Sequence, residues 1–104
     1  MNRILLAILF VLTAFIAPAQ ITYETENNIP YRSGENLDDY MKDRCKLDVY
    51  VPENVDSFTT VVWFHGGGLT AGQKSIPERL KNKKLAVVAV NYRLSPKVKS
   101  PAYI

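Results

Sequence analysis

A glycine-rich turn follows an apolar run in residues 61–75, whose sequence is VVWFHGGGLTAGQKS. The residues with chemical potential in this stretch are one histidine, four glycines and one lysine, namely His65, Gly66, Gly67, Gly68, Gly72 and Lys74. A turn of this kind after a strand can cradle a phosphate, seat a dinucleotide or stabilise the oxyanion of an acyl-transfer reaction. The spacing of the residues around the glycines distinguishes these three chemistries.

The pattern of a phosphate loop is nearly present. Gly67 and Gly72 are five positions apart, as that motif needs, but Gln73 then separates Gly72 from Lys74. In a phosphate loop the lysine directly follows the second glycine, so that its ammonium reaches the phosphates as the helix starts. One inserted residue turns the lysine by about 100° around the helix. The sequence therefore disfavours a phosphate site.

Residues 66–71 also match the dinucleotide-binding pattern G-x-G-x-x-A. That fingerprint needs a helix that starts at the glycines and an acidic residue at the end of the next strand, where it binds the ribose. Here the predicted helix starts only at Ser75, and the next strand ends in the sequence NYR at residues 91–93, which contains no acid. A dinucleotide site is therefore disfavoured as well.

Oxyanion stabilisation is the one of the three chemistries that fits the consecutive glycines and the late start of the predicted helix. The tetrahedral intermediate of acyl transfer carries a negative charge, which backbone N–H groups can neutralise without reorganising. Consecutive glycines let the chain turn so that two amides point into one spot, and they remove side chains that would block a substrate. The expected place is the end of an early parallel strand before a delayed helix, and residues 66–68 stand there.

Three clear patterns and a weaker one predict the strands that hold this turn. Alternation in residues 45–51 predicts an antiparallel edge strand with one wet face. The residues expected to be buried are Cys45, Leu47, Val49 and Val51, and those expected to face water are Lys46, Asp48 and Tyr50. Residues 61–64 and 85–90 are apolar without alternation, so we expect both strands to be buried on both faces in a parallel sheet. Residues 20–32 carry the weaker strand pattern.

A helix is predicted between the two parallel strands. Ser75 and Glu78 have the spacing of a capping box, and Pro77 stands in the first turn, where its missing N–H costs nothing. We expect this helix to run to about Lys84 and to form the crossover connection. The predicted fold class is α/β, with antiparallel first strands and then parallel strands joined by a crossover helix. Because two buried strands need further neighbours, we expect residues 20–104 to be an incomplete, N-terminal portion of a larger domain.

These stretches resemble a known family. WFHGGG at residues 63–68, NYRLSP at residues 91–96 and CKLDVYVP at residues 45–52 are similar to sequences of α/β-hydrolase esterases with an HGGG motif. The resemblance covers about residues 43–103. It points to the bacterial carboxylesterases related to the hormone-sensitive-lipase group and to secreted hemicellulose-type esterases. It implies an α/β-hydrolase sheet and hydrolysis of carboxylic esters through a serine acyl-enzyme.

The same resemblance assigns roles within the turn. The amides of Gly67 and Gly68 would supply most of the oxyanion hole, while His65 and Gly66 would shape the loop. In the family the catalytic serine, acid and histidine all follow the glycine motif, and no G-x-S-x-G occurs in this sequence. We therefore expect no triad residue in this chain, and we expect no cofactor or metal. A truncated or degenerate non-catalytic protein and a peptidase of the same fold remain alternatives.

The first nineteen residues have the features of a signal peptide. Arg3 precedes an apolar run at residues 4–17, which is too short for a bilayer span of ~20 residues. Residues 17–19, Ala-Pro-Ala, supply the small-x-small pattern of a cleavage site. We expect residues 1–19 to be removed and residues 20–104 to be secreted or periplasmic, with no stable membrane span after cleavage.

The composition argues against a nucleic-acid partner. The formal net charge is only +3, and the basic residues between positions 78 and 99 are not interleaved with stacking aromatics. Cys45 is the single cysteine, so no disulfide can form within the chain. The expected partner is a small-molecule ester or an ester linked to a polysaccharide.

Overall fold

Four strands form one mixed sheet. The computed structural model describes residues 19–104, so the predicted signal peptide lies, except for its last residue, outside the described residues. The elements in chain order are β1 (Tyr23–Pro30), α1 (Asp39–Arg44), β2 (Lys46–Pro52), β3 (Thr59–Phe64), a 3₁₀ turn (Glu78–Leu80) and β4 (Leu85–Val90). The strand order is β1-β2-β4-β3. β2 pairs antiparallel with both β1 and β4, whereas β3 and β4 are parallel, an arrangement compatible with part of an α/β fold.

β2 is an interior strand, so the prediction that it lies at an edge is wrong. The predicted wet face is also wrong, because Asp48 and Tyr50 are buried while Val49 on the other face is only half-buried. The Asp48 carboxylate is paired with the Lys74 ammonium at 2.8 Å, and the Tyr50 ring stacks on Tyr23 with ring centroids 4.7 Å apart. The alternation located the strand correctly, but partners distant in sequence decide which face is covered.

The two parallel strands differ in burial. β4 is largely buried, with only Leu85 and Val88 half-buried, whereas Val62, Trp63 and Phe64 of β3 are between 41% and 55% exposed. β4 has a strand on each side, and β3 has one neighbour within residues 19–104. The prediction that both faces of β3 are buried is therefore wrong for the described part of the chain. The buried apolar core consists of Cys45, Tyr50, Ala86, Val87, Ala89, Val90 and Tyr92.

The connection from β3 to β4 contains no α-helix, so the predicted capped crossover helix over residues 75–84 is wrong. Only Glu78–Leu80 is helical, as one 3₁₀ turn that begins after Pro77 without a side-chain cap. Asn82 leaves the helical conformation with φ of 58°, and its N–H donates to the Tyr50 hydroxyl at 3.1 Å. A contact with β2 thus outweighs the local helix signals.

A short helix that the sequence analysis did not predict, α1, precedes β2. The Asp38 carboxylate caps it by accepting a hydrogen bond from the Met41 N–H at 2.7 Å. Asp39 in the first turn and Lys42 and Arg44 in the last turn carry the charges that a helix dipole favours. With six residues, α1 is too short to show a helical period. Among residues 19–104, no helix has the length and apolar character that a membrane crossing requires.

Candidate functional site

The glycine turn and the NYR segment leave the sheet at the same edge. Phe64, the last residue of β3, pairs with Val90, the last residue of β4. Val90 also pairs with Leu47 near the start of the antiparallel strand β2. The segments that begin at His65 and Asn91 therefore lie side by side, next to the carboxyl end of α1. The topology brings together the two motifs that the sequence analysis singled out.

Gly67 and Gly68 turn the chain directly after β3. Their φ angles are 131° and 62°, and both residues are exposed. The Gly67 carbonyl accepts hydrogen bonds from the N–H groups of Thr70 and Ala71, both at 3.2 Å, which closes the turn on itself. A Cβ at Gly67 would run into the Ala71 carbonyl, so this position requires glycine.

The amides of Gly67 and Gly68 are free to meet a ligand. Within residues 19–104, neither N–H donates a hydrogen bond to another group of the protein. Exposed backbone donors in a fixed turn can bind an anion or a developing oxyanion. The predicted role of these two amides stays a prediction, and the structure places both on an accessible loop at the carboxyl edge of the sheet.

His65 is buried behind the turn, and both of its ring nitrogens have partners. Nδ1 lies 2.8 Å from the Gly66 carbonyl oxygen, and Nε2 lies 3.4 Å from Nη2 of Arg44. Its ring stacks on Tyr92 with centroids 4.4 Å apart, and its carbonyl accepts from the Tyr92 hydroxyl at 2.7 Å. A carbonyl only accepts and a guanidinium only donates, so these contacts fit a neutral imidazole with its proton on Nδ1. Shaping of the loop remains the role predicted for His65.

Arg44, the last residue of α1, joins the two motifs. Its Nε donates to the Tyr92 carbonyl at 3.0 Å, and its Nη2 donates to the Gly72 carbonyl at 3.2 Å and contacts the His65 ring. The residue is only 5% exposed. Sequence reasoning missed Arg44 because its partners are 21 to 48 positions away. The cap residue Asp38 and the charged residues of α1 are signals from which the helix could have been predicted. They do not indicate which residues Arg44 contacts.

Lys74 and Asn91 anchor the far end of the loop. The Lys74 N–H donates to Oδ1 of Asn91 at 2.7 Å, and the Asn91 amide donates to the Gln73 side chain at 3.1 Å. The Lys74 ammonium is paired with Asp48 and donates to Oδ1 of Asn28, both at 2.8 Å. Lys74 is thus engaged by a carboxylate, an arrangement that does not suit a phosphate ligand.

Two tyrosines hold the segment that follows β4. The Tyr31 hydroxyl donates to the Asn91 carbonyl at 2.7 Å, and the Tyr40 hydroxyl accepts from the Leu94 N–H at 2.9 Å. Burial, together with the interaction with the nearby Cys45 side chain, raises the pKa of Tyr31 well above its ordinary value. Tyr31 therefore remains a hydrogen-bond donor throughout the neutral pH range.

An apolar cleft of about 320 Å³ opens beside the turn. Its lining residues are Phe64, His65, Leu69, Tyr92, Tyr103 and Ile104. A larger cleft of about 510 Å³ lies at the opposite edge of the sheet, where Thr59 and Leu85 begin the parallel strands. We assign the candidate site to the smaller cleft, because it includes residues of both motifs and the cleft at the opposite edge includes none.

Comparisons with known proteins point the same way. Residues 47–104, more than half of the chain, match the BD-FAE family. A curated relative, Glutactin of Drosophila melanogaster, is 35% identical over 65 residues, which cover 61% of this chain and 6% of Glutactin. The chain therefore spans only a small part of the length of that relative. The BD-FAE match contains the glycine turn, the NYR segment and most of β2, and the chain belongs to this family of α/β-hydrolase-type esterases.

Proposed function

We propose that this chain carries the oxyanion-binding part of an exported serine esterase that hydrolyses carboxylic esters. The observation that carries the proposal is the loop after β3, where Gly67 and Gly68 have positive φ and present N–H groups without partners in residues 19–104. Membership of the BD-FAE family supports the reaction class.

The chemistry follows from where negative charge develops. Attack of a serine hydroxyl on the ester carbonyl produces a tetrahedral intermediate with a charged oxygen. The Gly67 and Gly68 amides would donate to that oxygen more strongly than to the neutral carbonyl of the bound ester, and this difference lowers the barrier. The hydrogen bonds from Thr70 and Ala71 to the Gly67 carbonyl hold the turn before reaction, so little reorganisation is needed.

The remaining catalytic groups would come from residues that follow Ile104 in a full-length protein. None of the five serines after the predicted signal peptide stands in a G-x-S-x-G sequence. Both nitrogens of His65 already have partners, which makes this histidine unsuited to act as the general base. The present chain would thus supply the hole, and the following segment would supply the serine, the acid and the histidine.

The apolar cleft supports an ester with an apolar portion as substrate. Phe64, Leu69 and Tyr92 line it beside the turn, where they can cover one side of an acyl or alcohol group. The substrate would be a small-molecule ester or an ester linked to a polysaccharide, and the signal-peptide pattern supports a reaction outside the cytoplasm.

The proposal is tested by comparing the full-length protein with the 104-residue chain. The full-length protein should hydrolyse p-nitrophenyl acetate and react covalently with a fluorophosphonate probe, because both require an activated serine. The 104-residue chain should do neither above the solvent background, because a hole without its triad leaves only residual catalysis. Turnover by the short chain that His65→Ala abolishes would overturn the proposal, because His65 would then act in the chemistry.

Export has its own test. N-terminal sequencing of the protein recovered outside the cytoplasm should start at Gln20 or within a few residues of it. A product that stays in the cytoplasm and still begins at Met1 would contradict export without affecting the esterase proposal.

A further inference from the structure

We infer that Arg44 is a positioning residue of the oxyanion loop, an inference that rests on the proposed esterase function. Arg44 as a whole residue is 5% exposed, and no carboxylate of residues 19–104 lies within salt-bridge distance of its guanidinium. A buried charge that is matched only by neutral acceptors is costly, and its hydrogen bonds must compensate for that cost. All of its hydrogen-bond partners lie in the two segments that form the candidate site.

The guanidinium holds both ends of the glycine turn. At one end Nη2 donates to the Gly72 carbonyl at 3.2 Å. At the other end the same atom contacts Nε2 of His65 at 3.4 Å, and Nδ1 of His65 lies 2.8 Å from the Gly66 carbonyl oxygen. Residues 66 and 72 are thereby fixed relative to each other, and the amides of Gly67 and Gly68 lie between them.

The same side chain connects the turn to the segment after β4. Nε donates to the Tyr92 carbonyl at 3.0 Å, and the Tyr92 ring stacks on His65. A planar guanidinium presents N–H groups in a rigid fork, which suits several acceptors in fixed directions. A lysine ammonium is a single point of charge on a flexible stem and cannot keep these contacts in one geometry. The site therefore requires the shape of arginine as well as its charge.

The kinetic test compares three variants of the full-length enzyme on p-nitrophenyl acetate. Arg44→Ala should lower kcat by about 10²-fold with little change in KM, because a displaced donor weakens transition-state binding more than substrate binding. Arg44→Lys should fold and still lose at least about tenfold in kcat, because the charge is kept and the fork is lost. Lys42→Ala removes an exposed charge from the same helix and should retain the original kcat.

Rescue by a small molecule separates positioning from general damage to the fold. Millimolar guanidinium chloride should restore part of kcat to Arg44→Ala and should leave Lys42→Ala and Arg44→Lys unchanged. If Arg44→Ala does not fold, Arg44→Lys alone decides the kinetic question. An Arg44→Lys enzyme with the original kcat would overturn the inference.

A spectroscopic test does not depend on activity. His65 is the single histidine of the 104-residue chain, so its ¹⁵N signals in a long-range ¹H–¹⁵N spectrum need no assignment. The Nδ1–H tautomer should dominate in the unmodified chain and in Lys42→Ala, and Arg44→Lys should shift the signals toward a mixture of tautomers. An unchanged His65 spectrum in Arg44→Lys would overturn the inference. If the His65 spectrum changes in Arg44→Lys but the full-length protein hydrolyses no ester, the contact between Arg44 and His65 is supported and the esterase proposal is rejected.

Discussion

The loop after β3 has two parts that are held in different ways. The near segment, residues 66–71, closes on itself through the Gly67 carbonyl and touches the following motif through a 2.8 Å hydrogen bond between the Leu69 carbonyl and the Ser95 N–H. The far segment, residues 72–74, is tied to α1, β2 and the residues after β4 by hydrogen bonds and an ion pair. The near segment leaves amides available, and the far segment uses its groups to fix the loop in place.

This difference matters because a hydrogen-bond donor stabilises a transition state best when it is already in position. Exposed backbone amides on an unsupported loop would have to be ordered during the reaction, and this ordering would reduce their benefit. The far segment transfers the rigidity of the sheet to the loop. The comparison therefore predicts that changes in the far segment act on stability and that changes in the near segment act on turnover.

Gly72→Ala should have the largest effect. The φ of Gly72 is 113°, and a Cβ there would overlap the His65 ring and the Gly66 carbonyl. Strain and overlap together should lower the free energy of unfolding by about 4 kcal/mol, measured by urea denaturation. Gly34→Ala is the matched control, because Gly34 has a φ of 130° with no atom within 4 Å of an added Cβ. Equal losses in the two variants would show that backbone strain alone acts and that the contact with His65 is unimportant.

Gly67→Ala should be the largest change in the near segment: it should lower kcat, and because Gly67 also has a positive φ and no room for a Cβ, it should lower stability as well. The added Cβ would meet the Ala71 carbonyl, which would open the turn and displace the amides. Loss of one oxyanion donor typically costs about 2.7–4 kcal/mol, or ~10²–10³ in kcat, and KM should change little. Gly68→Ala has room for its methyl group and should lose at most about tenfold, the equivalent of ~1.4 kcal/mol. A larger loss for Gly68→Ala than for Gly67→Ala would contradict this ranking.

Breaking the ion pair between Asp48 and Lys74 tests whether this pair fixes the far segment to β2. Both side chains are 12% exposed, so Asp48→Ala leaves a largely buried ammonium with Asn28 as its remaining side-chain partner. We expect a loss of about 3 kcal/mol in the free energy of unfolding. Glu78→Ala is the matched control, because it breaks the pair with Lys81, in which the Glu78 side chain is 84% exposed, and should cost less than about 1 kcal/mol. Similar losses would show that the Asp48 pair is not an anchor.

The near segment could be predicted from the sequence because its signals are local. An apolar run and consecutive glycines stand next to one another in residues 61–68, and the structure places the turn at the end of β3 as expected. The parallel pairing of β3 with β4 followed from two unalternating apolar runs. Short-range patterns of this kind determine where a strand or a turn lies.

The far segment could not be predicted because its partners are distant in sequence. Lys74 was excluded as a phosphate ligand by its spacing, but nothing in residues 72–74 indicated Asp48, Asn28 or Arg44 as contacts. The same limitation explains why the solvent-exposed face of β2 was predicted wrongly. Asp48 lies on the face predicted to be exposed, and its ion pair with Lys74 covers that face. It also explains the missing crossover helix, because the contact of Asn82 with Tyr50 is invisible in the local capping pattern.

Gly66→Ala should have the smallest effect and sharpens the comparison within the near segment. Gly66 has no positive φ, and an added Cβ would have no atom within 4 Å, so alanine fits the backbone without strain. We expect kcat to stay within about twofold and the free energy of unfolding to change by less than about 0.5 kcal/mol, as for other unconstrained surface positions. The His65 contact uses the Gly66 carbonyl, which alanine retains. If Gly66→Ala instead lowers kcat strongly without changing stability, the open space at Gly66 must be occupied by the bound ester, and the substrate would then lie across the turn instead of beside it.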